Sequence, residues 1–251
     1  VSASPSPGTW TTVVLDTPTD VATGVSLTPD LVFTGTDPNA DEIEYNVQII
    51  NYSTPFADLV TVNKAWNEIA IDQTNHDVYA VVSNGSIWEQ TGGTGSFSDL
   101  VTGNKKWNAI AIDQTTHDVY VTVDGGSIWK QTAGTGSFAD LVTGNKFWRT
   151  IAIDQTNHDV YAVVSSASIW KQTGGTGSFS DLVTGDKSWY RIAIDNTNHD
   201  VYVAVDGVSI WKQTGGTGSF SDLVTGNKAW NAIAIDSTTH DVYAITSSNS
   251  I

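Results

Sequence analysis

The chain has 251 residues, with 27 acidic against 11 basic side chains and a net charge of −16. That balance argues against nucleic acid, whose phosphates are held by Lys and Arg, and against docking on anionic lipid. There is no Cys, which removes disulfides, zinc–thiolate centres and cysteine nucleophiles, and no apolar run is long enough to span a membrane.

Richness in Thr, Ser, Asn and Gly with few Lys points to an extracellular or cell-surface protein. Fifteen of the 27 acids are three positions, Asp58, Asp72 and Asp77, each copied five times. The acidity is therefore inherited from one unit and reads mainly as solubility. The absence of Met means that the sequence starts after a removed segment or is a fragment.

Residues 1–8, VSASPSPG, read as a Pro/Ser arm. The next stretch, GTWTTVVL, is rich in β-branched residues and reads as a strand. It aligns with the repeat segment GSFSDLVT at 95–102, with Trp10 in the place of Phe97. Residues 1–15 are thus expected to supply a closing or donor strand through Thr9, Trp10, Thr11, Thr12, Val13 and Val14. The last repeat stops at Ile251 without an outer strand of its own, and this segment would complete it, within one chain or between chains.

Residues 16–55 have a different texture. ATGVSLTPDLVFTGTDP at 22–38 and EIEYNVQI at 43–50 resemble the first half of a bacterial immunoglobulin-like or fibronectin-like module. The resemblance implies a partial β segment that must lean on another surface to bury both faces. Asp37, Asn39 and Asp41 alternate in DPNAD. They are read first as a plain turn and second as a candidate calcium site, and no other cofactor is expected. Asn51-Tyr-Ser and Asn84-Gly-Ser fit the N-glycosylation pattern.

From 56 to 251 the chain is five copies of a 41-residue unit, the last incomplete. Phe56, Phe97, Phe138, Phe179 and Phe220 keep this step. So do Trp66, Trp107, Trp148, Trp189 and Trp230, and His76, His117, His158, His199 and His240. A fixed period in this range with four strand-like runs predicts an all-β, five-bladed β-propeller of four-stranded blades. In the second unit the runs are Phe97–Val101, Trp107–Asp113, Val119–Val123 and Ser127–Gln131. Ile110-Ala111-Ile112, alternating large and small, suits a strand near the axis.

The stretch IAIDQTNHDVYAVVSNGSIWEQTGGTGSFSDL at 69–100 resembles the Asp-box, or bacterial neuraminidase repeat, blade. Here Gly92 stands where that motif has its Asp, and Phe97 where it has its Trp. In that family the box is a structural turn without catalysis, so the resemblance implies a blade and leaves activity open. A sialidase site would resemble an Arg triad around a carboxylate, and this chain has only Arg149 and Arg191, both at repeat-breaking positions that read as drift. Acids copied around a ring do not give the two unlike carboxylates a glycosidase needs, so no catalytic residue is expected.

The five His are expected to fill turns and bond their neighbours rather than share a metal. The Trp66 series has two readings: packing between blades, or exposed aromatics that stack on sugars at five weak sites. The expected function is a non-catalytic structural subunit of a surface filament, self-associating by N-terminal strand donation. The alternative is a multivalent glycan-binding lectin. Nucleic acid and membrane insertion are not expected.

Overall fold

The computed structural model describes residues 63–247 together with the strands Val14–Thr17 and Val32–Thr34. The chain divides into two units, Val1–Ala57 and Asp58–Ile251.

In the first unit, β1 (Val14–Thr17) runs antiparallel to β2 (Val32–Thr34), with Val14 opposite Thr34 and Leu15 opposite Phe33. Val14, the last residue of the expected donor strand, is therefore paired inside its own unit. Thr9, Trp10, Thr11, Thr12 and Val13, the calcium candidates Asp37, Asn39 and Asp41, and Asn51 all lie outside the described residues.

The second unit repeats one antiparallel sheet. The first copy is β3 (Trp66–Ile71), β4 (Val78–Gly85), β5 (Ile87–Gln90) and β6 (Ser98–Asp99). The second is β7 (Lys105–Ile112), β8 (Val119–Gly126), β9 (Ile128–Gln131) and β10 (Ala139–Asp140). The third is β11 (Lys146–Ile153), β12 (Val160–Val164), β13 (Ile169–Gln172) and β14 (Ser180–Asp181). The fourth is β15 (Trp189–Asp195), β16 (Asp200–Val205), β17 (Ile210–Gln213) and β18 (Ser221–Asp222). The last described pair is the hairpin of β19 (Trp230–Ile235) and β20 (Val242–Thr246).

The phase of the unit differs from the expectation. The Phe97 segment does not open a blade; β6 pairs with β5, Trp88 opposite Asp99 and Glu89 opposite Ser98, and so closes the preceding one. The cause is the tight turn at Thr91–Gly93, where Gly92 and Gly93 take φ of 61° and 63° and fold the chain back beside the strand it has just left. Gln90 Nε2, donating to the Gly95 carbonyl at 2.6 Å, fastens the loop.

In the first four units the second strand is a largely apolar run, VYAVV, VYVTV or VYVAV, because both of its faces are covered. Tyr79, Val81 and Ile87 of the first sheet pack on Trp107, Ile110, Ile112, Val119, Val121 and Val123 of the second. The same contact recurs at each later boundary. Short ladders tie neighbours directly: Ser83 lies opposite Lys106 and Phe147 opposite Asp124. The innermost strands β3, β7, β11, β15 and β19 follow one another side by side.

Candidate recognition site

Each hairpin of an innermost strand and its successor has two ends, and they differ in kind. At one end stands the turn D-x-T-x-H-D, nearly the same in every copy. Asp72 Oδ1 accepts the backbone N–H groups of Thr74 and Asn75 at 2.9 and 3.3 Å, which shapes the turn. Its other oxygen lies 2.6 Å from His117 Nδ1 of the following sheet. His158–Asp113, His199–Asp154 and His240–Asp195 repeat this link at 2.7 Å. The His series thus clasps consecutive blades, and among the described residues no group of His, Asp or Glu is placed to hold a metal ion.

At the opposite end the copies diverge. The residue before the Trp is Ala65, Lys106, Phe147, Ser188 or Ala229. The two after it are Asn67-Glu68, Asn108-Ala109, Arg149-Thr150, Tyr190-Arg191 or Asn231-Ala232. The hairpin turn that reaches the same end is equally varied, at Ser83-Asn84-Gly85, Asp124-Gly125-Gly126, Ser165-Ser166-Ala167 and Asp206-Gly207-Val208. Backbone bonds bring the two segments together: Ser83 N–H donates to Ala65, Ser165 to Phe147, Asp206 to Ser188 and Ser247 to Ala229, each at 2.9 Å.

Two adjoining cavities open at this variable end. One, of about 180 Å³, is lined by Asn67, Glu68, Asn108, Arg149 and Arg191. It touches the innermost strands of four successive sheets, which places it where those strands converge. The other, of about 220 Å³, is lined by Asn108, Asp124, Phe147, Trp148, Arg149 and Ser165. Asn108 and Arg149 belong to both.

The polar groups are fixed by their neighbours. Asn67 Nδ2 donates to the Trp107 carbonyl and to Asn108 Oδ1, and Asn108 Nδ2 donates to the Trp148 and Arg149 carbonyls. Glu68 is exposed as a whole residue, but its Oε2 reaches the next strand and accepts the Ile110 N–H at 2.8 Å, which withdraws the carboxyl from water. Burial of the carboxyl pushes its pKa up; the Ile110 bond and the Arg191 charge offset part of that. Both guanidinium groups lie on one ring, Arg149 at 4.5 Å and Arg191 at 4.6 Å from the centre of Tyr190. Neither is in an ion pair among the described residues, whereas Lys130, Lys171 and Lys212 each hold an Asp.

Of the Trp66 series only Trp148 borders either cavity, and it is itself buried. Trp107, Trp148, Trp189 and Trp230 are buried, and each of the first three meets the second Trp of its own sheet edge-on. Trp107 Nε1 donates to the Gly85 and Gly103 carbonyls. Only Trp66 is exposed. Of the two readings of this series, the sugar-stacking alternative is therefore closed to its four buried members.

Sequence reasoning passed over Phe147, Glu68 and Tyr190 and set Arg149 and Arg191 aside as drift. The signal was present: both Arg of an acidic chain fall in the same three-residue window of their repeats.

No protein-family model and no curated protein matches the chain. Solved structures do. YCF48 from Cyanidioschyzon merolae is similar at a TM-score of 0.55 and 13% identity, over 74% of this chain and 65% of its own. The fold is a β-propeller. A Niastella koreensis GH74 enzyme matches at 0.62 and 16%, over 72% of this chain and 33% of its own. The Myceliophteria thermophila Swd1 propeller domain matches at 0.60 and 6%, over 74% and 63%. The chain thus spans less than two thirds of each of these proteins, and at such identities the likeness concerns the fold alone.

Proposed function

We propose that this chain is a non-catalytic, extracellular recognition propeller that binds its ligand at the variable end of the blades. One observation carries the reading. Nearly all of the residues that line two adjoining cavities come from the positions at which otherwise near-identical repeats differ. Copies that only have to stack on one another have no reason to diverge at one end; a ligand that touches several blades at once breaks their equivalence. The non-catalytic part rests on the acids. Most of them recur at equivalent places in every repeat, where glycoside hydrolysis uses two carboxylates in unlike settings flanking one bond.

The test exchanges each odd residue for its counterpart in other repeats: Phe147→Ala, Arg149→Asn, Tyr190→Asn and Arg191→Ala. Every introduced residue already occurs at the same place in the chain, so the fold is retained. On glycan and peptide arrays the parent should bind and the fourfold variant should not. Undiminished binding by the variant would sink the proposal.

A second reading, the self-associating structural subunit, is favoured by a separate observation. Ile69 and Ile71 are 60% and 44% exposed, while their counterparts Ile110 and Ile112 are buried. Tyr243 is 53% exposed, while Tyr120 and Tyr161 are buried. These two faces are complementary halves of the contact that joins every described pair of sheets. A further blade of this repeat, from more of the same chain or from another copy, would cover each. Light scattering over a dilution series tests the second case: large species that Ile69→Asp disperses support it, and a constant monomer mass rejects it.

A further inference from the structure

We propose that the two adjoining cavities form one site for a uronate-type sugar, its carboxylate held by Arg149 and Arg191 and its ring resting on Phe147. This inference rests on the recognition reading and names the ligand class.

The charge count selects the anion. The chain is strongly acidic, yet its only two Arg line one cavity, and neither is in an ion pair among the described residues. A guanidinium presents a planar fork of donors that matches a planar carboxylate in a bidentate way. Glu68 lines the same cavity and Asp124 the adjoining one, so the two Arg balance the site's own carboxylates before a ligand enters. A site that is neutral before binding takes up the single charge of a uronate more readily than the two of a phosphate monoester.

The neighbouring cavity supplies the rest. Phe147 is 66% exposed, an unusual setting for a large aromatic with no core role. Its backbone is fixed on two sides, opposite Asp124 in one ladder and accepting the Ser165 N–H at 2.9 Å. Phe147 is thereby anchored at the rim of the cavity that Arg149 also lines, and the electron-rich face of its ring attracts the polarised C–H groups of a sugar ring. Asp124, Ser165 and Asn108 surround it with the acceptors and donors that hydroxyl groups use. A peptide carboxylate would satisfy the Arg pair, but it leaves this hydroxyl-matching rim without a counterpart.

Isothermal titration of the full chain with trigalacturonate and with a hyaluronan tetrasaccharide tests the inference. The controls are fully methyl-esterified trigalacturonate, glucose 6-phosphate and a set of acidic peptides. At least one uronate probe should bind, the ester and the phosphate should not, and added salt should weaken binding. Arg149→Asn and Arg191→Ala should each weaken it at least about tenfold, the loss of a charge-assisted hydrogen bond. Phe147→Ala should weaken the sugar and leave any small free carboxylate unaffected. Failure of both uronates overturns the inference. Acidic peptides binding in their place, with the same dependence on Arg149 and Arg191, overturn the sugar assignment and leave the recognition reading standing. Uronate binding that ignores all three substitutions overturns both.

Discussion

His117 Nδ1 lies 2.6 Å from Asp72 Oδ2, across the boundary between two consecutive blades. The carboxylate is buried and the imidazole partly exposed. Burial alone would raise the pKa of Asp72, but the His117 bond and the Thr74 and Asn75 N–H donors outweigh it and hold the carboxyl below its usual value of 3.8. Asp113 and Asp195 are depressed in the same way, against burial, by turn N–H groups and by His158 or His240.

A depressed folded-state value gives stability that is complete above the unfolded value and is lost as pH falls through the folded one. The urea midpoint should therefore be level from about pH 6 to 5 and fall steeply below about pH 4. Asp113→Asn should destabilise at pH 6 by about 1–3 kcal/mol and flatten the acid limb. An unchanged acid limb in that variant would show that the clasps do not carry the pH dependence.

Glu89 stands where three other blades have Lys. There Lys130, Lys171 and Lys212 pair with Asp118, Asp159 and Asp200 at 2.6, 2.6 and 2.5 Å. In the first blade Glu89 instead accepts the Tyr79 hydroxyl at 3.0 Å, and its pKa is raised by burial and by the like charge of Asp77. Glu89→Lys should thus raise stability, by about 1 kcal/mol for a partly buried pair replacing a like-charge contact. Thermal unfolding at neutral pH measures it, and a lowered midpoint would contradict the assignment.

Val142 is 83% exposed and has a φ of 53°, a left-handed conformation that a β-branched residue rarely adopts. Val101, Val183 and Val224 repeat it. The Asp140 carboxylate accepts the Val142 N–H at 2.7 Å and holds the turn. Asn tolerates this conformation, so Val142→Asn should stabilise the chain by about 1 kcal/mol, the relieved backbone strain. No gain would mean that the valine makes a compensating contact.

The period of 41 residues made the propeller legible, because identical spacing of Phe, Trp and His leaves few other architectures. It did not give the phase. A periodic chain does not say where its unit begins, and the two-residue strand Ser98–Asp99 carries too little pattern to show which neighbour it joins. The Trp66 series was equivocal for a related reason: a large aromatic beside Asn and Lys looks the same whether the ring is buried or exposed. Arg149 and Arg191 were legible as exceptions but not as a pair. They sit at different offsets from their Trp, and only the convergence of successive innermost strands brings both to Tyr190.

The most direct test of the variable end as the recognition face is a hydrogen-exchange footprint of the full chain with an array-selected ligand. Protection should appear at 106–110, 124–127, 147–151 and 189–192. The His-bearing turns at 113–118 and 154–159 should exchange as in the free protein. Protection confined to those turns, or to the outer strands, would contradict the account.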